Sequence, residues 1–203
     1  KEAGDKSSAL GIQIPVNKII GHISLGQPAE IQRLLAADVL GLIKDRLDCG
    51  FKMFERDAAW ILSNLVATDP QMSSGILKDD ALMKTAIYAL NNGKFELKTE
   101  ISYFLVNMTY CSHVKCILNM LTRNKEIFHD LLEALNAGNS AGHHGSPQFI
   151  CNVLSVIGNL LNIGLNCQED NQKYFFRSSI IKTYSNNVQS KNTILEAFLT
   201  QDN

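Results

Sequence analysis

One short pattern recurs along this chain and constrains its fold more than any other feature. It reads Ile20-Gly-His22-Ile-Ser-Leu-Gly26, then Leu62-Ser-Asn64-Leu-Val-Ala-Thr68, then Leu105-Val-Asn107-Met-Thr-Tyr-Cys111, and finally Ile157-Gly-Asn159-Leu-Leu-Asn-Ile163-Gly164. Its central polar residue falls at 22, 64, 107 and 159, separations of 42, 43 and 52 residues. The longest gap holds the Gly/Ser-rich run 136–146, which reads as a surface loop insertion. Subtracting about ten residues for it restores a common period. Apolar residues elsewhere recur at helical spacing, with no strand-like alternation.

A helical period of roughly 40–47 residues is the signature of armadillo or HEAT repeats, whose units bury their apolar faces only by stacking on one another. Each unit here reads as three helices, which favours armadillo. In the first complete unit these are Ala29–Ala37 behind Pro28, Leu40–Leu47 ended by Asp48-Cys49-Gly50, and a long Lys52–Val66. The next predicts Gln71–Lys78, Ala81–Leu90 and Glu96–Tyr110, and the one after it Val114–Met120, Lys125–Leu135 and Phe149–Ile163. The expected architecture is a single all-α, right-handed armadillo α-solenoid over 1–203, with its long third helices lining the concave side. Its repeats are a partial one at 1–26, then 27–68, 69–111, 112–166 with the insertion, and a more polar terminal repeat at 167–203. The opening residues do not form a signal peptide, and the chain reads as a fragment of a longer solenoid.

Composition removes several function classes. Nineteen basic residues against twenty acidic ones leave a net charge of −1, without the basic excess a general nucleic-acid binder needs. No apolar run approaches a membrane span. The five cysteines are odd in number and scattered, which suits reduced, packed thiols in a cytosolic or nuclear protein better than a disulfide framework. His143-His144 with His129 or Cys151 lacks a third metal ligand at fixed spacing, and Cys111-Ser-His113-Val-Lys-Cys116 is not a zinc spacing. No phosphate-binding glycine loop or nucleophile–base arrangement occurs, so no cofactor and no enzymatic activity are expected.

An asparagine inside a helix is normally unfavourable. Asn64, Asn107, Asn159 and their counterpart His22, at one point of four consecutive long helices, become a ladder when the repeats stack. Two roles are open to it: fixing register by bonding the neighbouring repeat, or facing a bound chain. Trp60 and Tyr103 stand four residues before Asn64 and Asn107, and Asp57 and Glu100 stand three before the aromatics. This spacing sets acid, aromatic and amide on one side of each helix. The pattern suits capture of an extended basic peptide. Amides offer donor and acceptor to its backbone, aromatic walls take Lys or Arg stems and heads, and the acids meet the charged tips. Gross contributions of about 0.5–2 kcal/mol per cation–π contact and about 0.5–1.5 kcal/mol per backbone hydrogen bond predict micromolar binding after the association cost.

The runs Asp57-Ala-Ala-Trp60-Ile-Leu-Ser-Asn64-Leu and Glu100-Ile-Ser-Tyr103-Phe-Leu-Val-Asn107-Met resemble the Glu-Ala-x-Trp-x-x-x-Asn third helices of the importin-α (karyopherin-α) family. Pro15-Val-Asn-Lys18-Ile-Ile-Gly21-His22 resembles the family's preceding repeat, and Asn152 to Gly164 a later one. The resemblance spans about residues 14–200 and corresponds to the sixth to tenth repeats. It implies a nuclear import adaptor, shuttling between cytoplasm and nucleus, that binds basic localisation signals at its minor site. Trp60 and Tyr103 would be aromatic walls, Asn64 and Asn107 backbone clamps, and Asp57 and Glu100 the acids. Lys18 would take the place of an Arg, His22 of an Asn, and Asn159 would continue the ladder. It further implies contact of the C-terminal repeats with the export receptor, and binding to importin-β only through a basic segment absent from this sequence. The departures are Tyr103, with a smaller ring face than Trp; His22, which loses its acceptor on protonation; and Lys18, without the guanidinium fork. The rival is a non-transport armadillo scaffold, which would line its groove with Lys and Arg for acidic partners.

Overall fold

In the computed structural model, residues 2–140 and 147–166 are described, and they form ten helices. These are α1 (Glu2–Ile23), α2 (Pro28–Ala36), α3 (Val39–Leu47), α4 (Lys52–Thr68), α5 (Pro70–Ile76), α6 (Asp80–Asn92), α7 (Phe95–Cys111), α8 (Val114–Arg123), α9 (Ile127–Ser140) and α10 (Pro147–Leu165). The nine helices expected between residues 29 and 163 are present, with ends shifted by a few residues.

Local chemistry sets the boundaries. Proline occupies the first position of α2, α5 and α10, where its missing N–H is harmless. Asp69 caps α5 by accepting from the backbone N–H of Gln71 at 2.7 Å and Met72 at 3.1 Å. Asp79 caps α6 through Leu82 N–H at 3.0 Å. The sharp turn from α3 to α4 passes through Gly50 at φ 78°, a left-handed conformation that glycine adopts without strain. One boundary departs from expectation: α9 continues to Ser140, so 136–140 are helix rather than loop. No proline interrupts this stretch, and Ala, Asn and Ser extend a helix already nucleated by packed residues such as Leu131 and Leu135. The rest of the expected insertion, the proposed terminal repeat and Cys167 lie outside the described residues.

The helices form a stacked armadillo-type solenoid of three-helix repeats. Each second helix packs on its own third helix, α3 on α4, α6 on α7 and α9 on α10. Second helices also stack as α3, α6, α9, and third helices as α1, α4, α7, α10. The core follows the same register in each unit. Third helices bury Phe54, Ala58, Ile61 and Leu65; then Leu97, Ile101, Phe104 and Met108; then Phe149, Val153, Val156 and Leu160. Second helices answer with Val39, Ile43 and Leu47; Leu82, Ala86 and Leu90; Ile127, Leu131 and Leu135. The thiols are less enclosed than expected: Cys49, Cys111 and Cys116 are half-buried, Cys151 is exposed, and all four are free. No helix among the described residues is long and apolar enough to cross a membrane.

Candidate peptide-binding face

The ladder amides are held from behind. Asn64 on α4 donates its amide N–H to Ser24 Oγ at 3.1 Å. Asn107 on α7 donates to Ser63 Oγ at 3.1 Å and to the Ser63 carbonyl at 3.2 Å. Asn159 on α10 donates to Thr109 Oγ1 at 3.0 Å. Two of these hydroxyls spend their own proton at home, Ser24 on the Gly21 carbonyl at 2.7 Å and Thr109 on the Val106 carbonyl at 2.9 Å. Each amide thus leans on the preceding third helix, which is the register role left open above. It does not exhaust the amide. All three asparagines are half-buried, and their Oδ1 atoms accept no hydrogen bond among the described residues. A deeper rung, Asn152 to Ser102 Oγ at 3.0 Å, is wholly buried and serves register alone.

Ser24, Ser63, Thr109 and Ser102 escaped sequence reasoning. Their signal was a small hydroxyl recurring on the apolar side of each long helix, within two residues of the ladder position for the first three.

The two acid–aromatic columns differ. In the α4 column Asp57 is 1 % exposed and bound by the chain's own cations. It accepts from Lys18 Nζ at 2.7 Å and from Arg56 Nη2 at 3.2 Å. Its second oxygen is buried without a partner among the described residues. Lys18 Nζ also lies 5.8 Å from the Trp60 ring centroid. Trp60 is half-buried: its six-membered ring is pressed against Gly21, where an added Cβ would come within 2.0 Å of it. Exposed His22 meets it edge-on with centroids 6.0 Å apart. The acid assigned to a peptide cation and the lysine assigned to the groove are therefore joined to each other. The cause is the α1–α4 seam: Asp57, one turn before Trp60, points toward α1, and Lys18 reaches across.

The α7 column is open. Tyr103 is 37 % exposed. Glu100 is half-buried and accepts no hydrogen bond among the described residues. Burial pushes its carboxyl above the usual range; Arg56 and Lys18 pull it down, while Asp57 pushes it further up. Arg56, also absent from the sequence reasoning, is the cation shared between the columns. Among the described residues, His129, Asp130 and Glu133 on α9 bring potential ligand atoms within 4.8 Å of one another; they are not part of this face.

No protein-family model and no curated protein matches the chain. Solved structures do. A designed armadillo repeat protein in complex with the peptide (KR)4 aligns with TM-score 0.62 at 16 % identity, over 88 % of this chain and 68 % of that one. A further engineered protein aligns with TM-score 0.54 at 14 % identity, over 86 % of this chain and 74 % of that one. The likeness is one of fold, an armadillo-type repeat solenoid.

Proposed function

We propose that the third-helix face binds an extended, Lys/Arg-rich peptide, and that the chain serves as a binding module rather than an enzyme. The observation that carries this reading is the ladder: three amides fixed by hydroxyls on, or one residue past, the preceding third helix, each with its carbonyl oxygen left over. An amide clamped in this way meets a peptide N–H without loss of its own rotamer freedom. Tyr103 and Glu100 supply the adjoining site for a cationic side chain. The solved designed protein carries a basic peptide, which is consistent with such a ligand for this fold. The finer reading is a nuclear import adaptor. It takes localisation signals of cargo proteins as its basic segments, contacts the export receptor through its C-terminal repeats, and shuttles between cytoplasm and nucleus. It rests on the resemblance of the two acid–aromatic–amide runs.

Fluorescence anisotropy with a labelled Lys/Arg-rich peptide and a charge-reversed acidic control tests the module. Micromolar binding of the basic peptide that weakens with salt is expected. Preference for the acidic peptide would transfer the chain to the scaffold class, which the partly exposed Lys18 and Arg56 would then serve. Nuclear accumulation of a signal-bearing reporter in permeabilised cells tests the adaptor reading separately.

The pH dependence has a definite sign. Glu100 binds its proton more readily in the folded chain than an ordinary glutamate does. Without peptide, folding therefore gains stability as pH falls from that raised value towards 4.5. A cationic peptide needs the ionised form, so its affinity should drop across the same window. Glu100→Gln should remove this dependence and weaken binding at neutral pH by roughly two- to fivefold, the size of an exposed ion pair. An identical pH profile in the variant would place the peptide elsewhere.

A further inference from the structure

Four large apolar side chains of α1 stand in solvent: Ile12 at 67 %, Val16 at 42 %, Ile19 at 58 % and Ile23 at 38 % exposure. Their spacing of i, i+4, i+7, i+11 puts them on one stripe. Counted from His22, they occupy the positions that Phe54, Ala58, Ile61 and Leu65 hold relative to Asn64. Relative to Asn107 the same positions are Leu97, Ile101, Phe104 and Met108, and relative to Asn159 they are Phe149, Val153, Val156 and Leu160. In those repeats every such residue is at most 4 % exposed. What covers them is the second helix of the repeat, α3, α6 or α9, through apolar residues spaced i, i+4, i+8. Helix α1 packs on α2 and α4. None of α3, α6 or α9 is available to it, since each is seated on its own third helix.

We infer that the exposed stripe of α1 is a docking face for one further amphipathic helix, with apolar residues at i, i+4 and i+8 in the manner of α3, α6 and α9. The argument is continuity. The same residue positions make the same kind of interface three times along the stack, so both the shape of the stripe and the pattern of its partner are specified by the repeat. A second copy of the chain offers a less suitable occupant. Its exposed stripe is also of the third-helix kind, and the third helices here bury that stripe against second helices. The inference is independent of whether the third-helix face binds a basic peptide.

The probe is a synthetic peptide of the α6 sequence, residues 79–92, stapled between the outward positions 84 and 88. Its anisotropy is followed against the full chain. Saturable binding is expected, weakened roughly tenfold or more by Ile12→Asp with Ile19→Asp. These residues are exposed, so the double variant should retain its helical circular dichroism and its affinity for the basic peptide. A peptide with the same composition but scrambled stripe should not bind. Equal binding of the scrambled peptide, equal binding by the double variant, or no binding at all would overturn the inference. So would a concentration-dependent dimer in sedimentation that the double variant abolishes, which would give the stripe to a second copy.

Discussion

Gly21→Ala should lower the unfolding free energy by about 1–3 kcal/mol, the usual size of overpacking in a closed seam. The added Cβ would stand 2.0 Å from one atom of the Trp60 ring and under 3 Å from two more. Either the indole swings out or α1 and α4 part. The opposing term is helix propensity, in which alanine exceeds glycine by about 1 kcal/mol. Gly11, on the same helix, isolates that term. A Cβ there meets nothing within 4 Å among the described residues, so Gly11→Ala should gain up to about 1 kcal/mol. Urea titration of the two variants checks the opposite signs. Trp60 is the sole tryptophan of the chain, so its emission reads the seam directly. A red shift is expected for Gly21→Ala and none for Gly11→Ala. Unchanged emission with unchanged stability would mean that the ring does not rest on the α1 backbone.

Lys18→Ala should strengthen binding of the basic peptide about three- to tenfold, against the ordinary expectation for removing a side chain from a binding face. Lys18 occupies the place a ligand cation would take, 5.8 Å from the Trp60 centroid and 2.7 Å from Asp57. A peptide that uses this slot must displace it. Removing an internal competitor worth one weak cation–π contact and one half-exposed ion pair returns about 1 kcal/mol to the ligand. The same change should destabilise the free chain modestly, because Asp57 keeps only Arg56. Anisotropy and thermal melting on one sample separate the two effects. Weaker binding by the variant would mean that Lys18 contacts the peptide itself, as the resemblance to a groove arginine implies.

The repeat period and the apolar spacing make the three-helix units legible in the sequence, because core positions such as Phe54, Ala58, Ile61 and Leu65 follow the helical period closely. The ladder was legible for a related reason: a polar residue recurring in an apolar stretch stands out. Its orientation was not. Spacing along one helix places Asp57 beside Trp60, but whether that carboxylate meets solvent depends on which helix lies against it. Only the α1–α4 contact decides that Lys18 closes over it. The same limit explains Ser24, Ser63 and Thr109. Each is unremarkable in its own helix and acquires a role from an amide some forty to fifty residues later. Helix ends were least legible where Gly, Asn and Ser mix, as in 136–140, since those residues suit a loop and a fraying last turn about equally.

Among the described residues the extensive helix–helix contacts lie within a repeat or between adjacent repeats. The molecule therefore behaves as a one-dimensional array, in which damage at one end is felt through a series of couplings rather than by the whole at once. Amide hydrogen exchange should be slowest in α4 and α7, which have third-helix neighbours on both sides, and faster in α1, whose apolar stripe lies bare.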